Sequence, residues 1–125
     1  MWLEIGSNNI VRIPPIINNL PVVIIGEYAF SGKNLINVTI PDSVVMILSG
    51  AFSNKKLINI VIPNSVTGIV IIAFEDNQLE SVIIPSSIKI ISVGAFRKNK
   101  ITNIILPSSV TEIHRGAFAE NQNLS

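Results

Sequence analysis

A mostly β repeat solenoid, with stacked parallel strands and little true helix, is the fold this sequence predicts, and three observations predict it. Ala-Phe recurs at Ala29-Phe30, Ala51-Phe52, Ala73-Phe74, Ala95-Phe96 and Ala117-Phe118, always 22 residues apart. Pro41, Pro63, Pro85 and Pro107 keep the same interval, each preceded by Ile40, Ile62, Ile84 or Leu106 and followed two residues on by Ser43, Ser65, Ser87 or Ser109. A 22-residue period leaves no room for a strand and a long return helix. Units with a period of about 20 to 50 residues bury their apolar face only by stacking on their neighbours.

The units align by arithmetic as 19–40, 41–62, 63–84, 85–106 and a truncated 107–125. Residues 1–18 depart from the repeat and are expected to form an N-terminal cap. Within it, Val11-Arg12-Ile13-Pro14 imitates the strand-and-proline step, with Val11 and Ile13 pointing one way and Arg12 the other. Pro14 lies 15 residues before Ala29 where later units have 10, which marks a five-residue insertion around Ile16-Ile17, bracketed by turn formers.

In each regular unit an inward set precedes the proline: Leu35, Val38, Ile40; Leu57, Ile60, Ile62; Leu79, Val82, Ile84; Ile101, Ile104, Leu106. The β-branched content and two-residue spacing of the last pair suit a short strand. Proline lacks the N–H a ladder needs, so the chain leaves the sheet there, and the serine two residues on can bond neighbouring backbone in the turn. The return path carries Val44 and Ile47, Val66 and Ile69, Ile88 and Ile91, Val110 and Ile113 inward, through extended or 3₁₀ pieces. All five phenylalanines then fall in one column, which predicts a stacked aromatic spine. Past it, Asn77, Asn99 and Asn121 share one position, with Lys33 and Lys55 in the earlier units. Asparagine there suits a left-handed turn and a ladder between units.

Composition bounds the function. The chain is 48% hydrophobic and 14% charged over 125 residues, enough for a core in one domain or part of one. Its longest apolar runs, such as Ile69 to Phe74, fall far short of the roughly 18 residues of a membrane span. Met1-Trp2-Leu3-Glu4 does not open a signal peptide. The absence of cysteine excludes disulfides and thiolate metal sites, and a net charge of +1 predicts no bulk attraction to nucleic acid.

Leucine, two residues, an aliphatic, one residue, Ile-Pro, then Ser-Val and finally Ala-Phe: read over residues 19–125, this phrase resembles BspA-type leucine-rich repeats. The resemblance implies a right-handed leucine-rich repeat solenoid, classed α/β by convention, whose strands line a concave face. It also implies a secreted or surface-bound setting and a role in adhesion to host or other extracellular proteins.

Residues able to carry catalysis are few. His114, the only histidine, sits beside Glu112 and Arg115 and reads as a solvated surface residue. Ser43, Ser65, Ser87 and Ser109 have no histidine in register and read as turn residues. Glu75-Asp76 has no further carboxylate at ligand spacing. Gly50, Gly94 and Gly116 recur singly as turn glycines, not as a phosphate-cradling loop. The expectation is a non-enzymatic chain with no cofactor and no metal. The loop after phenylalanine collects Lys33, Lys55, Lys56, Arg97, Lys98 and Lys100 against Glu75, Asp76 and Glu120, leaving this edge +3. Such an edge suits a polyanion, but no aromatic residues interleave and an acidic pair interrupts it, so it reads as a solvated edge with cross-unit ion pairs.

The outward strand positions are free of packing. They are Asn37 and Thr39, Asn59 and Val61, Ser81 and Ile83, Asn103 and Ile105, a polar column beside a column that turns aliphatic. Two readings stand: an exposed apolar stripe that marks a protein-binding surface, and β-branched residues that merely favour strands. Val70-Ile71-Ile72 forms a second apolar cluster on the other side, readable as an oligomer contact or as sequence drift. The partner is expected to be a protein. The structural alternative is a spacer repeat of a larger surface protein. The last coil stops at Asn123-Leu124-Ser125 without a cover, which predicts further repeats or self-association through that end.

Overall fold

Three alternating residues closed by proline can make only a very short strand, and such a strand persists only if another lies beside it. A computed structural model describes residues 9–54, 56–122 and 124, and within them the chain winds into stacked β coils. Residues 1–8 of the expected cap, Lys55, Asn123 and Ser125 lie outside the described residues. In chain order the strands are β1 (Ile10–Arg12), β2 (Ile16–Ile17), β3 (Leu20–Pro21), β4 (Ile24–Ile25), β5 (Asn37–Thr39) and β6 (Met46–Ile47). They continue as β7 (Asn59–Val61), β8 (Gly68–Ile69), β9 (Ser81–Ile83), β10 (Ile90–Ile91), β11 (Asn103–Ile105) and β12 (Glu112–Ile113).

The pre-proline strands stack in parallel on one side: β5 lies between β1 and β7, and β9 pairs with β11. The return strands do the same on the other side, as β4-β6-β8 and β10-β12. Among the described residues there is no helix of either kind, so the return path is extended with turns and the 3₁₀ alternative is not used. The insertion is a hairpin in which β2 and β3 pair antiparallel across Asn18-Asn19. Both asparagines have positive φ, 53° and 64°, the backbone that a two-residue hairpin of this hand requires.

The core lies between the two stacks. Leu35, Val38, Val44, Ile47, Leu57, Val66, Leu79, Val82, Ile88, Ile91 and Ile101 are buried, in the inward frame expected of them. Phe30, Phe52, Phe74, Phe96 and Phe118 stack nearly parallel, with centroids 5.4–5.5 Å apart and planes within 7°. That spacing exceeds the roughly 4.8 Å between strands, so each ring is offset on the next, an arrangement its quadrupole favours. Two inward assignments need correction. Leu106 is 42% exposed and Ile113 is 51% exposed, because no described residues stack on the outer side of their coil.

Both stacks are interrupted at one junction, between residues 57–78 and 79–100. Neither β7 with β9 nor β8 with β10 forms a ladder. Elsewhere Leu48, Val70 and His114 donate their N–H to Ile25, Ile47 and Ile91 carbonyls of the preceding coil, at 2.8–3.0 Å. At the corresponding place Ser92 reaches back with its side chain instead, Oγ to the Ile69 carbonyl at 2.7 Å. The turn side stays closed, through the Phe74–Phe96 stack and the Phe74 N–H donated to the Ala95 carbonyl at 2.9 Å.

Candidate functional site

The period-two rule that buries Val38, Val82 and their equivalents turns their neighbours outward. All eight outward residues, Asn37, Thr39, Asn59, Val61, Ser81, Ile83, Asn103 and Ile105, are exposed. Register brings them into columns. Asn37 lies opposite Asn59 and Thr39 opposite Val61; Asn103 lies opposite Ser81 and Ile105 opposite Ile83. Val61, Ile83 and Ile105 are 79%, 66% and 58% exposed, an aliphatic set facing water. A groove of about 680 Å³ runs over part of this face, lined by Asn37, Thr39, Asn59, Val61, Ser81 and Ile83 of the two columns, with Asp42, Pro63 and Pro85 also in its lining. The parallel β1 adds Ile10 opposite Asn37 and Arg12 opposite Thr39, both exposed. Sequence reading oriented Arg12 correctly but left these two out of the face, although Val11-Arg12-Ile13-Pro14 carried the signal.

The asparagine column turned out to be structural. Asn77, Asn99 and Asn121 are buried, and the left-handed backbone falls on the residue before each: Asp76 (φ 60°), Lys98 (57°) and Glu120 (58°). Asn99 Nδ2 donates to the Phe74 and Phe96 carbonyls at 3.0 and 3.1 Å, while its Oδ1 accepts the Leu79 N–H at 3.1 Å. One amide thus ties two coils together at the phenylalanine turn. In the earlier unit Asn54, one residue early in register, takes the accepting half of this role alone, and its buried Nδ2 has no hydrogen-bond partner among the described residues. Its Oδ1 accepts the N–H groups of Lys33 and Leu35 at 3.1 and 3.4 Å.

Arg97 bridges two other coils, 3.0 Å from Glu75 and 2.6 Å from Glu120, so part of the basic edge is neutralised. The groove beside it, about 730 Å³, is lined by Asp76, Glu80 and Glu120 as well as Lys98 and Lys100. Charges of both signs here offer no continuous cationic track for a polyanion. His114 Nε2 lies 2.8 Å from Glu112 Oε2 on the exposed surface. Ser109 Oγ donates to the Ile88 carbonyl at 3.0 Å and Ser43 Oγ to the Pro15 carbonyl at 3.4 Å, while the hydroxyls of Ser65 and Ser87 are buried. Among the described residues the one side-chain hydrogen bond of His114 is to Glu112, and no serine hydroxyl bonds to it. Among the described residues no group of three or more histidine or carboxylate side chains gathers as a metal would need.

A family model described as a BspA type leucine rich repeat region matches residues 10–125 in six copies. A leucine-rich repeat protein of T. pallidum is similar over 96% of this chain and 58% of its own, with 33% identity and a TM-score of 0.86. One from Eubacterium ventriosum aligns with 98% of this chain and 34% of its own, at 24% identity and a TM-score of 0.79. One from Bacteroides ovatus aligns with 98% of this chain and 46% of its own, at 23% identity and a TM-score of 0.64. These last two are likenesses of fold alone. The chain therefore spans about a third to three-fifths of the solved chains it resembles. No curated protein matches it.

Proposed function

We propose, from the premise that this chain belongs to the BspA-type leucine-rich repeat family, that it is a non-enzymatic module that binds a protein partner through its outward strand face. The supporting observation is the exposed stripe of Val61, Ile83 and Ile105 beside the polar column of Asn37, Asn59, Ser81 and Asn103. The aliphatic column supplies area to desolvate, and the amide and hydroxyl column supplies donors and acceptors that fix register. No charge lies among these eight residues, and the charges beside them, Arg12 on β1 and Asp42 in the groove, stand at one end of the face, so the partner surface is uncharged where it meets the stripe. Four strands at about 4.8 Å span roughly 14 Å, a hot-spot patch smaller than a standard interface, so this chain alone binds weakly. The family resemblance supports a setting outside the cell or at its surface, with adhesion to host or matrix protein as the form of binding.

The test is capture of extracellular-matrix proteins by the chain and by two variants. Ile83→Asp with Ile105→Asp abolishes capture while the circular-dichroism spectrum and denaturation midpoint stay near the parent's, since both side chains are exposed. Ile84→Asp, one residue along and buried, unfolds the chain by burying an unpaired charge. Retained capture by the folded double variant sinks the assignment of the face. A second reading, a spacer repeat of a larger surface protein, draws on the greater length of the solved chains it resembles. It gains if the parent captures none of these proteins.

A further inference from the structure

A second exposed surface is built by the turns that precede each phenylalanine. Each turn closes by an N–H to carbonyl bond across three residues, as from Ala51 to Leu48, Ala73 to Val70 and Ala95 to Ser92, at 3.1–3.3 Å. Its third residue has positive φ, at Gly50, Ile72 and Gly94 among others. That residue's N–H is donated to the carbonyl of the second turn residue one coil on: Tyr28 to Ser49, Gly50 to Ile71, Ile72 to Val93 and Gly94 to Arg115, at 2.9–3.4 Å. These four bonds set the second turn residues, Glu27, Ser49, Ile71, Val93 and Arg115, one after another in a row. Ile71 is 47% exposed and Val93 is 39% exposed, and Glu27 and Arg115 are exposed at the two ends. Among the described residues neither end charge has an ion-pair partner.

The order of this row points to its occupant. It carries a carboxylate at one end, a guanidinium at the other and an isoleucine at its centre, with the end charges four coils apart, about 19 Å at strand spacing. We propose that the row is the contact by which two copies of this chain associate, antiparallel, about a two-fold axis at Ile71. Rotation about that axis sets Glu27 against Arg115 of the partner subunit and Arg115 against Glu27 of the partner subunit. Ile71 meets Ile71 of the partner subunit, and Ser49 meets Val93 of the partner subunit. Such a contact is isologous and closes on itself. A parallel pairing would set like charges together at both ends, so the charges specify orientation as well as attraction. The surface is distinct from the strand face and from the outer side of the last coil, and it assigns Ile71 to a contact. The row and its flanks are small against a standard interface, so the dimer is weak and forms at high concentration.

Sedimentation equilibrium of the full chain, up to about 1 mM, tests this. The parent is expected to dimerise. Glu27→Arg alone and Arg115→Glu alone, each turning two attractive pairs into repulsive ones, weaken the dimer by about tenfold or more. An equimolar mixture of the two singles recovers association, because each variant carries at both ends the charge the other lacks; the Glu27→Arg, Arg115→Glu double variant recovers it as well. Ile71→Lys sets like charges on the axis and dissociates the dimer without rescue. Thermal melts of all variants are compared with the parent's, and the mixture keeps the test sound should one single be less stable, since rescue requires both to be folded. A monomer at every concentration, a dimer indifferent to the three substitutions, as association through the last coil would be, or a mixture that stays dissociated overturns the proposal.

Discussion

Asn99 shows what one side chain contributes when a solenoid turn closes over it. Its amide satisfies the Phe74 and Phe96 carbonyls and the Leu79 N–H, three backbone groups in a buried turn. Removing it strands the Leu79 N–H, while the Phe74 carbonyl keeps Asn77 Nδ2 at 3.1 Å and the Phe96 carbonyl keeps Asn121 Nδ2 at 3.0 Å; a buried polar group left unpaired costs about 1–3 kcal/mol. Asn99→Ala is therefore expected to destabilise the chain by about 1–3 kcal/mol in chemical denaturation. A loss below about 1 kcal/mol would mean that water replaces the amide. The column of Asn77, Asn99 and Asn121 was legible from spacing, and its job was not. Preference for left-handed backbone belongs to the residue type and can be read in one dimension. Burial of an amide between two coils depends on what stacks above and below. The same holds for Asn54, whose one-residue displacement hid it from a fixed-period alignment.

At the scale of the element, the phenylalanine column and the three-residue strands were both legible, because each rests on a period: 22 along the chain for the rings, two within the strand for facing. Phe74 is fully buried between Phe52 and Phe96, with ring centroids 5.4 Å away on each side. Phe74→Ala leaves a cavity in the spine and should lower stability by roughly 3–5 kcal/mol. A denaturation midpoint that hardly moves would show that neighbouring coils collapse into the space. The hairpin of β2 and β3 was legible only as an insertion of five residues. Asn18-Asn19 between Ile17 and Leu20 is a two-residue turn signal, but Pro14, Pro15 and Pro21 around it argue against strands. Proline is tolerated here because Leu20–Pro21 pairs with β2 alone.

For the whole molecule, a repeat array is only as cohesive as its nearest-neighbour contacts, and the junction between 57–78 and 79–100 is the weakest of these in hydrogen bonding. Its weakness could not be read from the sequence, since the 22-residue period continues through it without a break. Both sheets lose their ladders there while the phenylalanine and asparagine side keeps its bonds, so the backbone bonds between the two halves run along one edge and Ser92 Oγ to the Ile69 carbonyl is a side-chain tie on the return side. The groove on the outward strand face lies over this junction, with Val61 and Pro63 on one bank and Ile83 and Pro85 on the other. Ile58, Thr67 and Val70 donate their N–H groups to the preceding coil at 2.9–3.0 Å, and Thr102, Thr111 and His114 do so at 2.8–3.1 Å. Glu80, Lys89 and Ser92 hold the equivalent places at the junction and have no such backbone bond. Native-state hydrogen exchange should therefore find these three amides at least about tenfold less protected than their six counterparts on either side, a difference of about 1.4 kcal/mol in opening free energy. Binding of a partner that grips Val61 and Ile83 together holds the two banks at a fixed separation, and protection at Glu80 should rise with it. Uniform protection across all nine amides would show that the junction is as tight as its neighbours and that the face behaves as one rigid sheet.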